Sequence, residues 1–279
     1  MIRPAIIVYG NCQSDTIAVC LRRIAAVSDR YDVVGIPSFV HPIDGPSRIE
    51  PADLERCALL IEQRALWHRF PALDRLPPGC PTLSFPMLAL NAQWPLQAQE
   101  KRNRAEPEFP FGRYPYGDRL LNRLLARNLP GAVVLEQYLS TSLNEVVALR
   151  RFSAIEAERI IALDDLCDIP FGSWILSNFR HRCLFWTYNH PTAALLLPLT
   201  VTVAERAAAL LNLPRTIANE VPPLFANGWE PADWLKVAIH PDVAEILDLD
   251  WFQPNRLYAH YQHRDVGYAD YWRHQIDFD

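Results

Sequence analysis

An apolar run of strand length near the start of the chain stops at a glycine and gives way at once to a helical pattern. The run covers Ala5 to Tyr9, and the glycine is Gly10. Residues spaced for one apolar face of a helix follow it, and they are Ile17, Ala18, Cys20, Leu21, Ile24 and Ala25. This strand–turn–helix junction predicts the first unit of an α/β fold.

Three more strand-like runs alternate with helical segments in the first third of the chain. The runs cover 32–36, 58–62 and 81–85, and the predicted helices cover 14–27, 51–55 and 64–70. A fifth strand is predicted over 183–187, and the helix after it should reach about Leu211 with a kink at Pro198. Near-continuous apolar strands between helices favour a parallel sheet of about five strands covered on both faces.

The remaining segments are helical or irregular. Helices are predicted over 133–149, 155–163, 172–179, 233–239 and 241–247. The stretch 93–116, interrupted by prolines, is predicted to be a long irregular loop, either a lid over a cleft or a surface excursion. An aromatic extension begins at about Val221. We expect one domain over 1–279, with helical additions and this C-terminal tail.

Composition excludes several classes of function. The net charge of −5 argues against a general nucleic-acid binder. The longest mainly apolar stretch, Ala193 to Ala204, is too short to span a membrane. No signal-like segment precedes the first strand, which gives a cytoplasmic location as the expectation. The six cysteines form no CxxC pair and no cluster has metal-ligand spacing, so neither disulfides nor a metal are expected.

Cys12 is the first candidate for chemistry. It is predicted to lie at the N-terminus of the first helix, where unpaired N–H groups and the helix dipole favour a thiolate. The polar neighbours Asn11 and Gln13 could donate hydrogen bonds to an oxyanion beside an attacked carbonyl. A structural cysteine at a tight turn is the alternative interpretation.

His190 follows the predicted fifth strand, as Cys12 follows the first. Ligands of open parallel sheets bind beyond the carboxyl ends of the strands, so the fold could bring the two residues together. A cysteine with a histidine as its base is an established nucleophilic pair. The alternative for His190 is a plain helix start before Pro191. His41 is a secondary candidate and His240 a weaker one.

Arg180 and Arg182 lie just before the fifth strand. Arginine side chains bind phosphates well, so both are candidates for contacts with a nucleotide-type cofactor. A solvated surface cluster is the alternative interpretation.

Two short motifs follow strands in order along the chain: Gly10-Asn11-Cys12-Gln13 after the first strand and Asn189-His190-Pro191-Thr192 after the fifth. Together they resemble the WcbI-type family of capsular polysaccharide acetyltransferases. The resemblance runs from the first strand to at least the helix after His190. It implies a fold like that of SGNH hydrolases or flavodoxin, although the first-strand motif of SGNH hydrolases usually carries serine where this chain has Cys12.

The resemblance implies transfer of an acetyl group from acetyl-coenzyme A, as co-substrate, to a sugar hydroxyl of a surface or capsular polysaccharide. Cys12 and His190 would then be the reactive pair, with Asn11, Gln13 and Asn189 as their polar support. The partners implied are coenzyme A and a carbohydrate acceptor. Two alternatives stay open: a thiol-dependent carbohydrate esterase and a non-catalytic scaffold protein of a polysaccharide system.

Overall fold

A computed structural model describes residues 2–41, 45–66 and 68–278. Its strands are β1 (Ala5–Gly10), β2 (Asp32–Pro37), β3 (Val40–His41), β4 (Gly45–Pro46), β5 (Cys57–Arg64), β6 (Thr82–Pro86), β7 (Gln97–Ala98), β8 (Gly117–Asp118), β9 (Phe185–Thr187), β10 (His190–Pro191), β11 (Leu235–Lys236), β12 (Tyr258–His260) and β13 (His263–Val266). Its α-helices are α1 (Cys12–Arg23), α2 (Ala25–Ser28), α3 (Pro51–Glu55), α4 (Arg119–Leu125), α5 (Gly131–Ser140), α6 (Leu149–Asp164), α7 (Gly172–Asn178), α8 (Ala193–Leu211), α9 (Val221–Phe225), α10 (Pro241–Ile246) and α11 (Tyr268–Ile276).

The chain forms two compact units, each built from several segments. The first unit comprises 1–88, 159–177 and 191–231, and the second comprises 89–158, 178–190 and 232–279.

The first unit contains a parallel sheet with the strand order β2-β1-β5-β6. All six residues of β1 are buried, as expected of a central strand covered on both faces. The apolar runs predicted near residues 5, 32, 58 and 81 are these four strands. The α/β class is therefore confirmed.

Helices α1 and α8 pack against this sheet and against each other. The predicted first helix breaks at Ile24, whose extended backbone separates α1 from α2. Helix α8 continues through Pro198. By length and composition α8 could cross a membrane, but half of its apolar window is buried in the protein. A core helix meets the same test, and the contacts with α1 and β5 are those of a core helix.

The second unit carries the aromatic C-terminal segment. Strands β11, β12 and β13 form an antiparallel sheet, and α11 packs against α5 and β12. The irregular stretch 93–116 is tied to this segment through Arg102, whose guanidinium donates to the carbonyls of Gln275, Ile276 and Phe278. The stretch therefore stabilises the end of α11.

Four predictions about individual elements are wrong. The predicted fifth strand is the three-residue β9, which lies outside the four-stranded sheet. No helix covers the described part of 64–70, because Ala65 and His68 form a tight bridge after β5. The segment 233–239 contains β11 rather than a helix. The helix predicted over 133–149 ends at Ser140.

Candidate functional site

Cys12 is the first residue of α1, two positions after β1 ends. Asn11 caps the helix, since its Oδ1 accepts the backbone N–H of Gln13 at 3.0 Å. A side chain at Gly10 would place its Cβ 1.9 Å from the Ser14 Oγ and 2.6 Å from the Gln63 Cβ. The turn therefore requires glycine, and the thiol is fixed at the amino end of a 12-residue helix.

A buried amide network holds this turn. Gln63, at the carboxyl end of β5, accepts the Asn11 N–H at 2.9 Å and donates to the Gln13 Oε1. The Gln13 amide also bonds both backbone groups of Leu88, donating to the carbonyl at 2.7 Å and accepting the N–H at 3.1 Å. Gln13 is 1% exposed. Its amide thus positions the chain after β6, and its expected use as an oxyanion donor stays a prediction.

The electrostatics of Cys12 differ from the sequence prediction. Burial, and to a smaller extent the nearby Asp15 carboxylate, raise the pKa of the Cys12 thiol to about 12. The backbone N–H groups of Cys12 and Gln13 lower the pKa, as expected at a helix N-terminus, but they do not outweigh desolvation. The prediction of a thiolate is therefore wrong for the protein without ligand. At neutral pH Cys12 carries its proton.

His190 belongs to the second unit, where polar side chains hold its turn. The Thr187 Oγ1 accepts the His190 N–H at 3.1 Å and donates to the Asn189 Oδ1 at 3.1 Å. The Tyr116 hydroxyl donates to the same Asn189 oxygen at 3.1 Å and lies 3.5 Å from the His190 Nε2. Asn189 is thus the group that links the tyrosine and threonine hydroxyls beside the histidine.

Burial also controls the charge of the imidazole. It lowers the pKa of His190 to about 4, so the ring is neutral at pH 7. The Tyr116 ring meets the His190 ring edge to face, with centroids 5.8 Å apart. The buried Nδ1 of His190 has no hydrogen-bond partner among the described residues. A neutral imidazole with an unbonded nitrogen can accept a proton from a reacting group.

The other predicted site residues have plainer surroundings. Arg180 and Arg182 are exposed, and the Arg180 Nε donates to the Leu247 carbonyl at 3.1 Å. His41 lies on β3. His240 caps α10, because its Nδ1 accepts the Asp242 N–H at 3.1 Å. Phosphate binding by the two arginines stays a prediction.

Sequence reasoning missed three polar residues that organise these turns. Gln63 lies near the carboxyl end of the apolar strand β5. A polar side chain at the end of a buried strand could have identified it. Thr187 ends the predicted fifth strand in the same way. Tyr116 is the last residue of the irregular stretch 93–116, and the sequence gives no sign of its contact with a residue 74 positions later.

Within the described residues, no three or more His, Cys, Asp or Glu side chains are placed to hold a metal ion.

Comparison with known proteins gives a family and a fold. The model of the WcbI family, described as a polysaccharide biosynthesis enzyme, matches residues 5–212. A solved structure of WcbI shares 20% identity with this chain at a TM-score of 0.67, over 99% of this chain and 89% of that one. It is described as a novel polysaccharide biosynthesis enzyme, in its native form without a disulfide bond between coenzyme A and one of its cysteines. No curated protein matches the chain.

Proposed function

This chain belongs to the WcbI family of polysaccharide biosynthesis enzymes, and from that membership we propose that it transfers an acetyl group from acetyl-coenzyme A to a hydroxyl of a carbohydrate acceptor. Cys12 and His190 are the residues proposed to carry the reaction, and the product is an O-acetylated surface or capsular polysaccharide.

The position of Cys12 carries the proposal. The similar structure is described as being without a disulfide bond between coenzyme A and one of its cysteines, and such a bond could form only where a protein thiol reaches the coenzyme A sulfur. We assign Cys12 to that position because it stands at the amino end of α1, on a turn held by Gly10 and Gln63. The acetyl thioester would then lie beside Cys12.

The charge states favour direct transfer to the acceptor. Burial keeps Cys12 as a thiol, so no thiolate is ready to attack the thioester. Neutral His190 can accept the proton of the sugar hydroxyl as its oxygen attacks the acetyl carbonyl. The bond between the acetyl carbon and sulfur breaks, and the sulfur takes the proton from the imidazole to give free coenzyme A. Cys12 then supports the thioester without being acetylated.

The acceptor dependence of thiol release tests this function. Free coenzyme A should appear from acetyl-coenzyme A only when a carbohydrate acceptor is present. Sustained release in water alone would instead indicate an esterase. His190→Gln should lower the rate by about 10²–10⁴-fold, the usual contribution of a general base, whereas His181→Gln, on the exposed surface, should leave it unchanged.

The Cys12→Ser variant distinguishes direct transfer from a mechanism with an acetyl-enzyme intermediate. Direct transfer predicts sequential kinetics and a variant that retains much of the activity, because serine keeps a small neutral group at the position. Ping-pong kinetics together with loss of activity would show that Cys12 takes the acetyl group. Cys167→Ser is the matched control, since burial also raises the pKa of that thiol to about 12.

A further inference from the structure

A small cavity in the second unit holds a buried amide that makes no hydrogen bond. The cavity has a volume of about 30 Å³, and Gln93 is among its lining residues. Gln93 is 1% exposed, and neither its Nε2 nor its Oε1 has a partner among the described residues. An unpaired buried donor and acceptor on one side chain are costly, so the folded protein gains free energy from any molecule that pairs with both.

Two of the other polar side chains that line the cavity are already bonded. Asp118 caps α4 by accepting the N–H groups of Leu120 and Leu121, and its second oxygen accepts the Tyr138 hydroxyl at 3.3 Å. His240 caps α10. Gln93 therefore differs from Asp118 and His240 in having no partner among the described residues for either polar atom of its amide.

The volume of the cavity limits which groups of a ligand can enter it. A group the size of a water molecule needs roughly 10–15 Å³ by this measure, so about two such groups fit. Two hydroxyls on neighbouring carbons meet the requirement, with one accepting from the Gln93 Nε2 and the other donating to its Oε1. A whole sugar ring does not fit in this volume, so only the two hydroxyls would enter the cavity.

The cavity also adjoins the turn of His190. Tyr116 and Thr187 line it, and the same two side chains bond Asn189 beside the histidine. A sugar anchored in the cavity would therefore lie against the residues that hold the proposed base. We propose that Gln93 binds two neighbouring hydroxyls of the acceptor sugar, an assignment that rests on the proposed carbohydrate acceptor and makes Gln93 a determinant of acceptor specificity.

Binding of simple sugars to the whole protein tests the assignment without measuring acetyl transfer. The probes are methyl glycosides of hexoses and their deoxy analogues, each lacking one hydroxyl of a neighbouring pair. The wild type should bind at least one hexose glycoside, and Gln93→Leu should weaken that binding about tenfold or more. Gln99→Leu, an exposed change in the same segment, should leave it unchanged.

Stability measurements separate a binding role from a structural one. Replacing an unpaired buried amide with an apolar side chain of similar size should leave unfolding stability unchanged or raise it. Loss of stability in Gln93→Leu would show that the amide has a partner in the folded protein and would overturn the proposal. Equal sugar binding by the wild type and Gln93→Leu would overturn it too, and would indicate that the cavity holds water.

Competition with coenzyme A distinguishes the acceptor sugar from the cofactor, the other proposed ligand that carries hydroxyl groups. Sugar binding that persists with saturating coenzyme A supports the acceptor assignment. Displacement of the sugar by coenzyme A overturns it. If the sugar binds through Gln93 but acetyl-coenzyme A is never turned over, the proposed acetyl transfer fails while the sugar site stands.

Discussion

Gln13→Leu should destabilise the protein strongly, although it changes no residue proposed to react. The substitution leaves three buried groups unpaired: the Gln63 amide N–H, the Leu88 N–H and the Leu88 carbonyl. Each unpaired group should cost about 1–3 kcal/mol of unfolding free energy. Burial of the more apolar leucine should return about 2 kcal/mol, so the net loss of stability is about 4 kcal/mol.

Urea denaturation measures this loss as a shift of the midpoint at constant slope. Gln253→Leu is the matched control, because Gln253 is exposed and the same change there should alter stability by about 0.5 kcal/mol or less. In Gln13→Leu/Gln63→Leu the Gln63 N–H is no longer left unpaired, so the double variant should lose less stability than the sum of the two single losses. Strict additivity, or a loss below about 1 kcal/mol in Gln13→Leu, would refute the network as the support of the Cys12 turn.

Three further predictions concern packing and charge. Gly10→Ala should cost about 1–3 kcal/mol in unfolding free energy because its methyl group would overlap Ser14, whereas Gly267→Ala, with open space around its Cβ, should be nearly neutral; equal values would contradict the steric argument. Burial raises the folded pKa of Asp118 to about 6, above its unfolded value, so stability should fall by about 3 kcal/mol as pH rises from about 4 to about 7, and Asp118→Asn, which keeps the cap, should abolish that loss. The ring protons of His190 should show no NMR titration between about pH 5.5 and pH 8, since its folded pKa is about 4, and a midpoint near 6.5 would contradict the burial argument.

The parallel sheet could be predicted because its signals are local. Each of its four strands is a short apolar run bounded by polar or turn residues, and the predicted bounds agree with the observed ones to within about two residues. Of the wrong predictions, one has a local cause and another has a long-range cause. Leu235, Val237 and Ile239 alternate with a period of two, which is typical of a strand and was assigned to a helix. His68 bonds the Tyr9 hydroxyl at 2.6 Å, a contact across 59 positions that holds the segment after β5 in a turn.

The support of the candidate residues could not be predicted, because it comes from distant parts of the chain. Gln63 lies 52 positions from the Asn11 N–H that it accepts, and Leu88 lies 75 positions from Gln13. Tyr116 reaches Asn189 across 73 positions. The sequence marks polar residues at the ends of apolar strands but does not show which of them meet. The sequence gives no sign, for example, that the Gln13 amide bonds the backbone of Leu88.

The charge of Cys12 shows why its position at a helix N-terminus predicted the wrong protonation state. The helix N-terminus does favour a thiolate, and the N–H groups of Cys12 and Gln13 act in that direction. Desolvation by the surrounding chain acts the other way and is larger, as it is for His190, whose pKa moves down for the same reason. Both groups are consequently neutral in the free protein. The charge of each side chain in the free protein is therefore set by how deeply it is buried rather than by its place at the end of a strand or helix.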